Sequence, residues 1–157
     1  ARGPVAFVLT RQTVPLFERD AGFEPAHVWR GAYAVRRGGE RPDVVLLATG
    51  SEVPTACDAA AKLAEDGVAA RVVSAPSLEL FDAEPEAWRR ELLPPGVPVV
   101  GIEAARAGSL LRYAGSQPML LCNLDRFGAS APQKDLAERF GFTGPAIAAR
   151  VRSQLGR

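Results

Sequence analysis

Three short groups of residues carry side chains whose types and spacing could do chemistry. The first is the run Ala48, Thr49, Gly50, Ser51, Glu52, Val53, which places a glycine and two hydroxyls between an apolar run and an amphipathic stretch. Gly50 permits a tight turn, Ser51 can cap the following helix by accepting from an early amide, and amides left free at such a turn can hold an anion. Capping alone also accounts for the serine. The spacing is neither a dinucleotide fingerprint nor a Walker loop, because the further glycines and the lysine are missing. The second group centres on Glu103, directly after another apolar run, so its carboxylate is expected at the same edge of the fold as Ser51. There it could bind a ligand, cap a turn or meet a neighbouring domain. Gly50, Ser51 and Glu103 together are the candidates for a small-anion site. The third group is Arg11 with Gln12, following the apolar run from Val5 to Leu9. From a strand exit a guanidinium can grip phosphate in a forked geometry, or it can simply be solvated.

Other reactive types lack the partners that their chemistry needs. Ser130, in the turn from Phe127 to Pro132, is expected to cap a helix, since the single histidine, His27, lies far away in the sequence and leaves no base for an acyl-transfer triad. His27 itself has no second ligand nearby and reads as a surface or linker residue. The two cysteines, Cys57 and Cys122, match no zinc or disulfide spacing and are expected to be buried as small hydrophobes. No catalytic residue and no metal ligand is expected.

The elements that must position these groups follow from apolar periodicity. From Val44 onward short apolar runs alternate with amphipathic stretches. Val44 to Ala48 has the unbroken apolar character of a strand buried on both faces, and Val53, Ala56, Cys57, Ala60, Ala61 and Ala64 repeat at helical spacing until Gly67. Strands are expected at Ala70 to Ser74, Val97 to Ile102 and Met119 to Leu124, and helices at Asp82 to Leu93, Ser109 to Ala114, Pro132 to Phe140 and Pro145 to Leu155. This alternation implies an α/β fold: a three-layer sandwich, mostly parallel, with helices on both faces. Before it, Arg11 to Asp43 has little periodicity and several prolines and glycines. Gly31 to Val35 is the exception, expected as a short edge strand that turns at Gly38 and Gly39 and runs antiparallel to the strand that follows.

Bulk properties narrow the function classes. A chain of 157 residues with 47% hydrophobic residues suits one compact domain, and a net charge of +1 without basic runs argues against nucleic acid as a partner. No apolar stretch approaches the roughly 20 residues that span a bilayer. A soluble, cytoplasmic protein without a membrane partner is expected.

Taken together and in order, several segments resemble the ends of transketolases: Leu9 to Gln12 followed by Pro15, Gly31 to Val35, Val44 to Val53, Ala70 to Pro76, Gly101 to Ala104, Phe127 to Pro132 and Glu138 to Thr143. The combination of Ala-Thr-Gly-Ser-Glu-Val after a strand with Phe-Gly-Ala-Ser-Ala-Pro ahead of Phe-Gly-Phe-Thr is specific to that family. The resemblance implies a homodimeric enzyme that moves a two-carbon ketol unit between sugar phosphates using thiamine diphosphate and Mg2+ or Ca2+. It implies that residues 1–12 end a pyrimidine-binding domain, 13–42 form a linker and edge strand, and 43–157 form the non-catalytic C-terminal domain. It also gives Arg11 the role of holding substrate phosphate. The expected partners are the rest of such a chain and a second copy. No cofactor is expected on this chain, because the family's metal-diphosphate segment and catalytic histidines lie upstream of Ala1, a residue at which a longer protein is expected to have been cut. Deoxyxylulose-phosphate synthase or a 2-oxoacid dehydrogenase could share this terminal fold, although the Arg11 motif and the Phe127 turn argue against both. A free-standing module binding a small anion is the alternative from another class.

Overall fold

The computed structural model describes residues 3–115 and 118–157; residues 1 and 2 of the expected 1–12 segment lie outside the described residues. Among the described residues the strands are β1 (Tyr33–Arg36), β2 (Val44–Ala48), β3 (Ala70–Ser74), β4 (Val99–Ile102) and β5 (Leu120–Cys122). The helices are α1 (Val53–Glu65), α2 (Leu78–Asp82), α3 (Glu86–Leu92), α4 (Gln133–Phe140) and α5 (Gly144–Leu155). The strands form one sheet in the order β1-β3-β2-β4-β5, with β1 antiparallel to β3 and the other pairs parallel. The unbroken apolar run at Val44 to Ala48 has its reason in this order: β2 is central, and all five of its residues are buried.

Alternation along the strands divides the core in two. Val44, Leu46 and Ala48 of β2 and Val72 of β3 join Val53, Ala56, Ala59 and Leu63 of α1 and Ile147, Ala148 and Val151 of α5 on one face. Val45 and Leu47, with Val73 and Val99, meet Phe81 of α2 and Leu92 of α3 on the other. At roughly 1.5–3 kcal/mol for each large aliphatic side chain buried, these two faces are what hold the domain together. No helix among the described residues is long and apolar enough to cross a membrane.

Several expectations change in detail. The edge strand pairs with β3 and not with β2, because β2 already has β3 on one side and β4 on the other. Gly38, at φ +62°, lets the chain turn against the backbone of Ala70. The single helix expected over Asp82 to Leu93 is two, α2 and α3, parted at Pro85, whose own ψ of 145° is extended. The first of them opens early because the Ser77 hydroxyl accepts from the Leu80 amide. β4 starts only at Val99, after Pro98, which has no amide to give a ladder. β5 is shorter than expected, and the short helix expected at Ser109 to Ala114 is a 3-10 helix, Ala107–Tyr113. The run Val5 to Leu9 forms no strand: Val5, Phe7, Val8 and Leu9 are exposed and pair with no strand among the described residues.

The linker is strapped to the domain through Asp20. Its carboxylate accepts from the Arg37 amide at 2.7 Å and from the Arg36 guanidinium at 3.2 Å, and its own amide donates to the carbonyl of Val35 at 3.1 Å. Phe17 and Phe23 pack against the first core face beside it, with the Arg19 guanidinium 4.6 Å from the Phe23 ring centre. His27, half-buried, lies tilted against Trp88 at 5.2 Å between ring centres and accepts from the Glu24 amide on Nδ1.

Candidate functional site

The connection from β2 to β3 runs through α1 over one face of the sheet, and the connection from β3 to β4 runs through α2 and α3 over the other. The order in which strands are added to the sheet therefore reverses between β2 and β4, and the crevice at the carboxyl ends of these two parallel strands is where sheets of this class bind ligands. Ala48 pairs with Ile102 in register. The next residues, Thr49 and Glu103, consequently stand side by side, and the Thr49 hydroxyl donates to the Glu103 carboxylate. The Glu103 amide donates to the Cys122 carbonyl at 3.0 Å, which fixes the residue as the strand ends.

Gly50 lies at φ +50° and opens a short 3-10 turn, Gly50–Glu52, ahead of α1. This turn changes the role of Ser51. Neither the 3-10 turn nor α1 has a side-chain cap, and the Ser51 hydroxyl instead donates to Oε1 of Glu52 at 2.8 Å. The extra turn moves Ser51 away from the first amides of α1, which a capping side chain would have to reach. Ser130 does not cap either. α4 begins one residue later than expected, Pro132 occupies the N-cap, and no side chain caps the helix.

A cleft of about 350 Å3 opens beside this edge. Ser51, Glu52 and Thr55 form one wall, Leu136 and Phe140 of α4 the opposite one, and Gln12 closes the rim. Glu52, half-buried, has its pKa raised above the usual carboxylate range, chiefly by burial; the Ser51 hydroxyl and the Ala104 amide oppose the shift and the Glu103 charge adds to it. Two neighbouring carboxylates make the edge electrostatically better suited to donors than to an anion. Thr49 and Glu52 were the site residues that sequence reasoning passed over, although both stood inside the motif it singled out.

The remaining expected site residue lies apart from this pair. Arg11 is exposed and makes no ion pair among the described residues, while Gln12 beside it reaches the cleft. Asn123 and Asp125 at the end of β5 bond to each other at 2.7 Å. Cys122 is buried and Cys57 only half-buried, and burial pushes both thiols up, so neither is a ready nucleophile. A larger groove of about 640 Å3 runs between residues 15–20 and α1; of the charged residues that line it, Asp20 and Arg36 bond to one another, and Glu18 and Asp58 are the others.

The geometry describes an α/β domain with an acidic crevice, and comparison with known proteins supplies the rest. The sequence profile of the transketolase-like C-terminal domain matches residues 31–143. The chain belongs to the transketolase C-terminal domain family. A plasmid-encoded transketolase of Cupriavidus necator is 46% identical over 96% of this chain, and a transketolase of Aquifex aeolicus is 41% identical over 95%. The chain spans about a fifth of the length of these relatives, 22% in each case. Among solved structures a transketolase mutant from Pichia stipitis superposes with a TM-score of 0.80 at 31% identity, covering 91% of this chain and 20% of that one. A split-gene transketolase, described as an inactive beta4 tetramer, has a TM-score of 0.66 at 26% identity and is covered over 47% of its length. The profile match takes in every strand of the sheet and both walls of the cleft; Arg11 and Gln12 precede it.

Proposed function

We propose that this chain works as the C-terminal portion of a transketolase, which transfers a two-carbon ketol unit between sugar phosphates with thiamine diphosphate and Mg2+ or Ca2+. Its own part is structural and supports a cytoplasmic homodimer. Residues 1–12 end the pyrimidine-binding domain, 13–42 link, and 43–157 form the C-terminal domain. The observation that carries this reading is identity of 46% sustained over 96% of the chain while only 22% of the relative is matched. The split-gene transketolase supports the division of labour, since a related chain occurs there in an inactive tetramer. No three His, Cys, Asp or Glu side chains converge among the described residues as a metal ion would need, and the crevice presents carboxylates where a diphosphate needs donors. These residues do not fit the metal-diphosphate end of the cofactor, and no step of its chemistry falls to them.

Arg11 is the residue in direct touch with substrate in this reading. It is exposed and free of ion pairs among the described residues, so its guanidinium is available for a phosphate. Two measurements test the proposal. Titration calorimetry of the chain with thiamine diphosphate and Mg2+ gives no saturable heat, and saturable binding overturns the structural role. In a full-length transketolase containing this chain, Arg11→Ala raises KM for phosphorylated sugars about ten- to a hundredfold and leaves non-phosphorylated ones nearly unchanged, the loss of one charge-assisted forked contact. Equal loss on both substrate kinds removes the phosphate role.

A further inference from the structure

Arg11 sits at the tip of a bend whose next residue is held twice. The Gln12 amide donates to the Thr10 hydroxyl at 3.1 Å, closing the bend locally. The Gln12 side chain then accepts, on Oε1, from Nε2 of Gln133 at 2.8 Å, a bond that spans 121 residues of sequence. Gln133 is the first residue of α4, whose Leu136 and Phe140 are half-buried beside the cleft and which ends at Gly141, in the left-handed conformation, just ahead of α5. Thr10 and Gln12 are thus both committed, and the guanidinium between them has no bonded partner among the described residues.

We infer that Gln133 is a positioning residue for substrate phosphate: through Gln12 it fixes the bend that aims Arg11, so the C-terminal domain reaches the substrate site indirectly. The inference rests on the phosphate-binding reading of Arg11 given above. Physically, a forked contact is worth its full strength only when the backbone that carries it is already in place, because ordering a free segment on binding opposes the gain. A single amide-amide bond sets the scale of the effect. Both glutamines are exposed, so their truncation leaves no buried group unpaired and does not threaten the fold.

The test uses a full-length transketolase containing this chain, with Arg11→Ala, Gln12→Ala, Gln133→Ala and the double glutamine variant assayed on a phosphorylated and a non-phosphorylated donor. Gln133→Ala raises KM for the phosphorylated donor about three- to tenfold, keeps kcat within about twofold, and leaves KM for the non-phosphorylated donor unchanged. The double glutamine variant is no worse than the worse single one, since both remove the same bond. If Arg11→Ala is phosphate-selective and Gln133→Ala is not, or if the glutamine effects add, the positioning role is overturned and the phosphate reading stands. If Arg11→Ala is itself unselective, the phosphate reading fails and takes the inference with it.

Discussion

Gly144, the first residue of α5, lies so close to α1 that a Cβ placed on it would come within 2.6 Å of Cβ of Asp58 and 3.0 Å of the Asp58 carbonyl carbon. The two helices that cover one face of the sheet touch here backbone to backbone. Gly144→Ala is expected to lose about 1–3 kcal/mol of stability, because the obstructing atoms belong to a helix and cannot swing aside. Gly108→Ala is the control: open space surrounds that position, and the change stays within about 0.5 kcal/mol. Urea unfolding of both variants checks the contrast, and equal midpoints would mean that the helices part without cost.

Arg71, on β3, is a buried cation that makes no ion pair among the described residues. Its guanidinium donates to the carbonyls of Arg37 at 2.9 Å, Gly39 at 3.1 Å and Glu40 at 3.2 Å, and to that of Glu91. It therefore holds the loop after β1 and the end of α3 to the same strand. Arg71→Met keeps the stem but leaves these acceptors unanswered, and is expected to cost about 3 kcal/mol. Arg90→Met, at an exposed pair with Glu86, costs at most about 0.5 kcal/mol. Denaturant midpoints separate the two cases.

Asp20 straps the linker to the end of β1. Asp20→Ala removes the acceptor for Arg36 and the Arg37 amide and is expected to speed tryptic cleavage after Arg19 about five- to thirtyfold, equivalent to about 1–2 kcal/mol of local stability. Hydrogen exchange gives the companion result. Amides of Val5 to Leu9 exchange near the free-chain rate and those of Val44 to Ala48 are among the slowest, since the first run has no ladder and the second is paired on both sides. Comparable protection in the two runs would assign Val5 to Leu9 to a sheet.

The sheet was legible because its central strand β2 is apolar along its whole length and the helix that follows it repeats at the right spacing. Val44 to Ala48, Val53 onward and Ala70 to Ser74 all fall where periodicity placed them. Errors gathered where side-chain pattern does not decide. The strand-like run Val5 to Leu9 is no such error: a ladder needs a neighbour, and without a sheet beside it the run stays exposed. The partner of β1 depends on strand order, a property of the whole sheet. At the crevice, position was readable because Ser51 and Glu103 both follow apolar strands; bonding was not, because one 3-10 turn rotates Ser51 from an amide to a carboxylate.

That rotation can be measured through Glu52. Burial raises its pKa, so the folded chain holds the proton more tightly than the unfolded one. From the ordinary carboxylate pKa, about 4.3, up to the raised folded value, the native state binds more protons. Stability from this group is therefore complete below the window and falls as pH rises through it. Glu52→Gln removes the dependence, and the variant gains on the parent protein as pH increases across the window. Ser51→Ala acts in the opposite sense: losing a hydroxyl that favours the charged carboxylate lifts the pKa further and carries the loss of stability to higher pH. Were Ser51 a helix cap, the same substitution would cost about 1 kcal/mol at every pH. Carboxyl NMR titration of Glu52 with urea unfolding from pH 4 to 8 distinguishes them. An unmoved Glu52 titration with a uniform loss would restore the cap and remove the Ser51–Glu52 bond from the site.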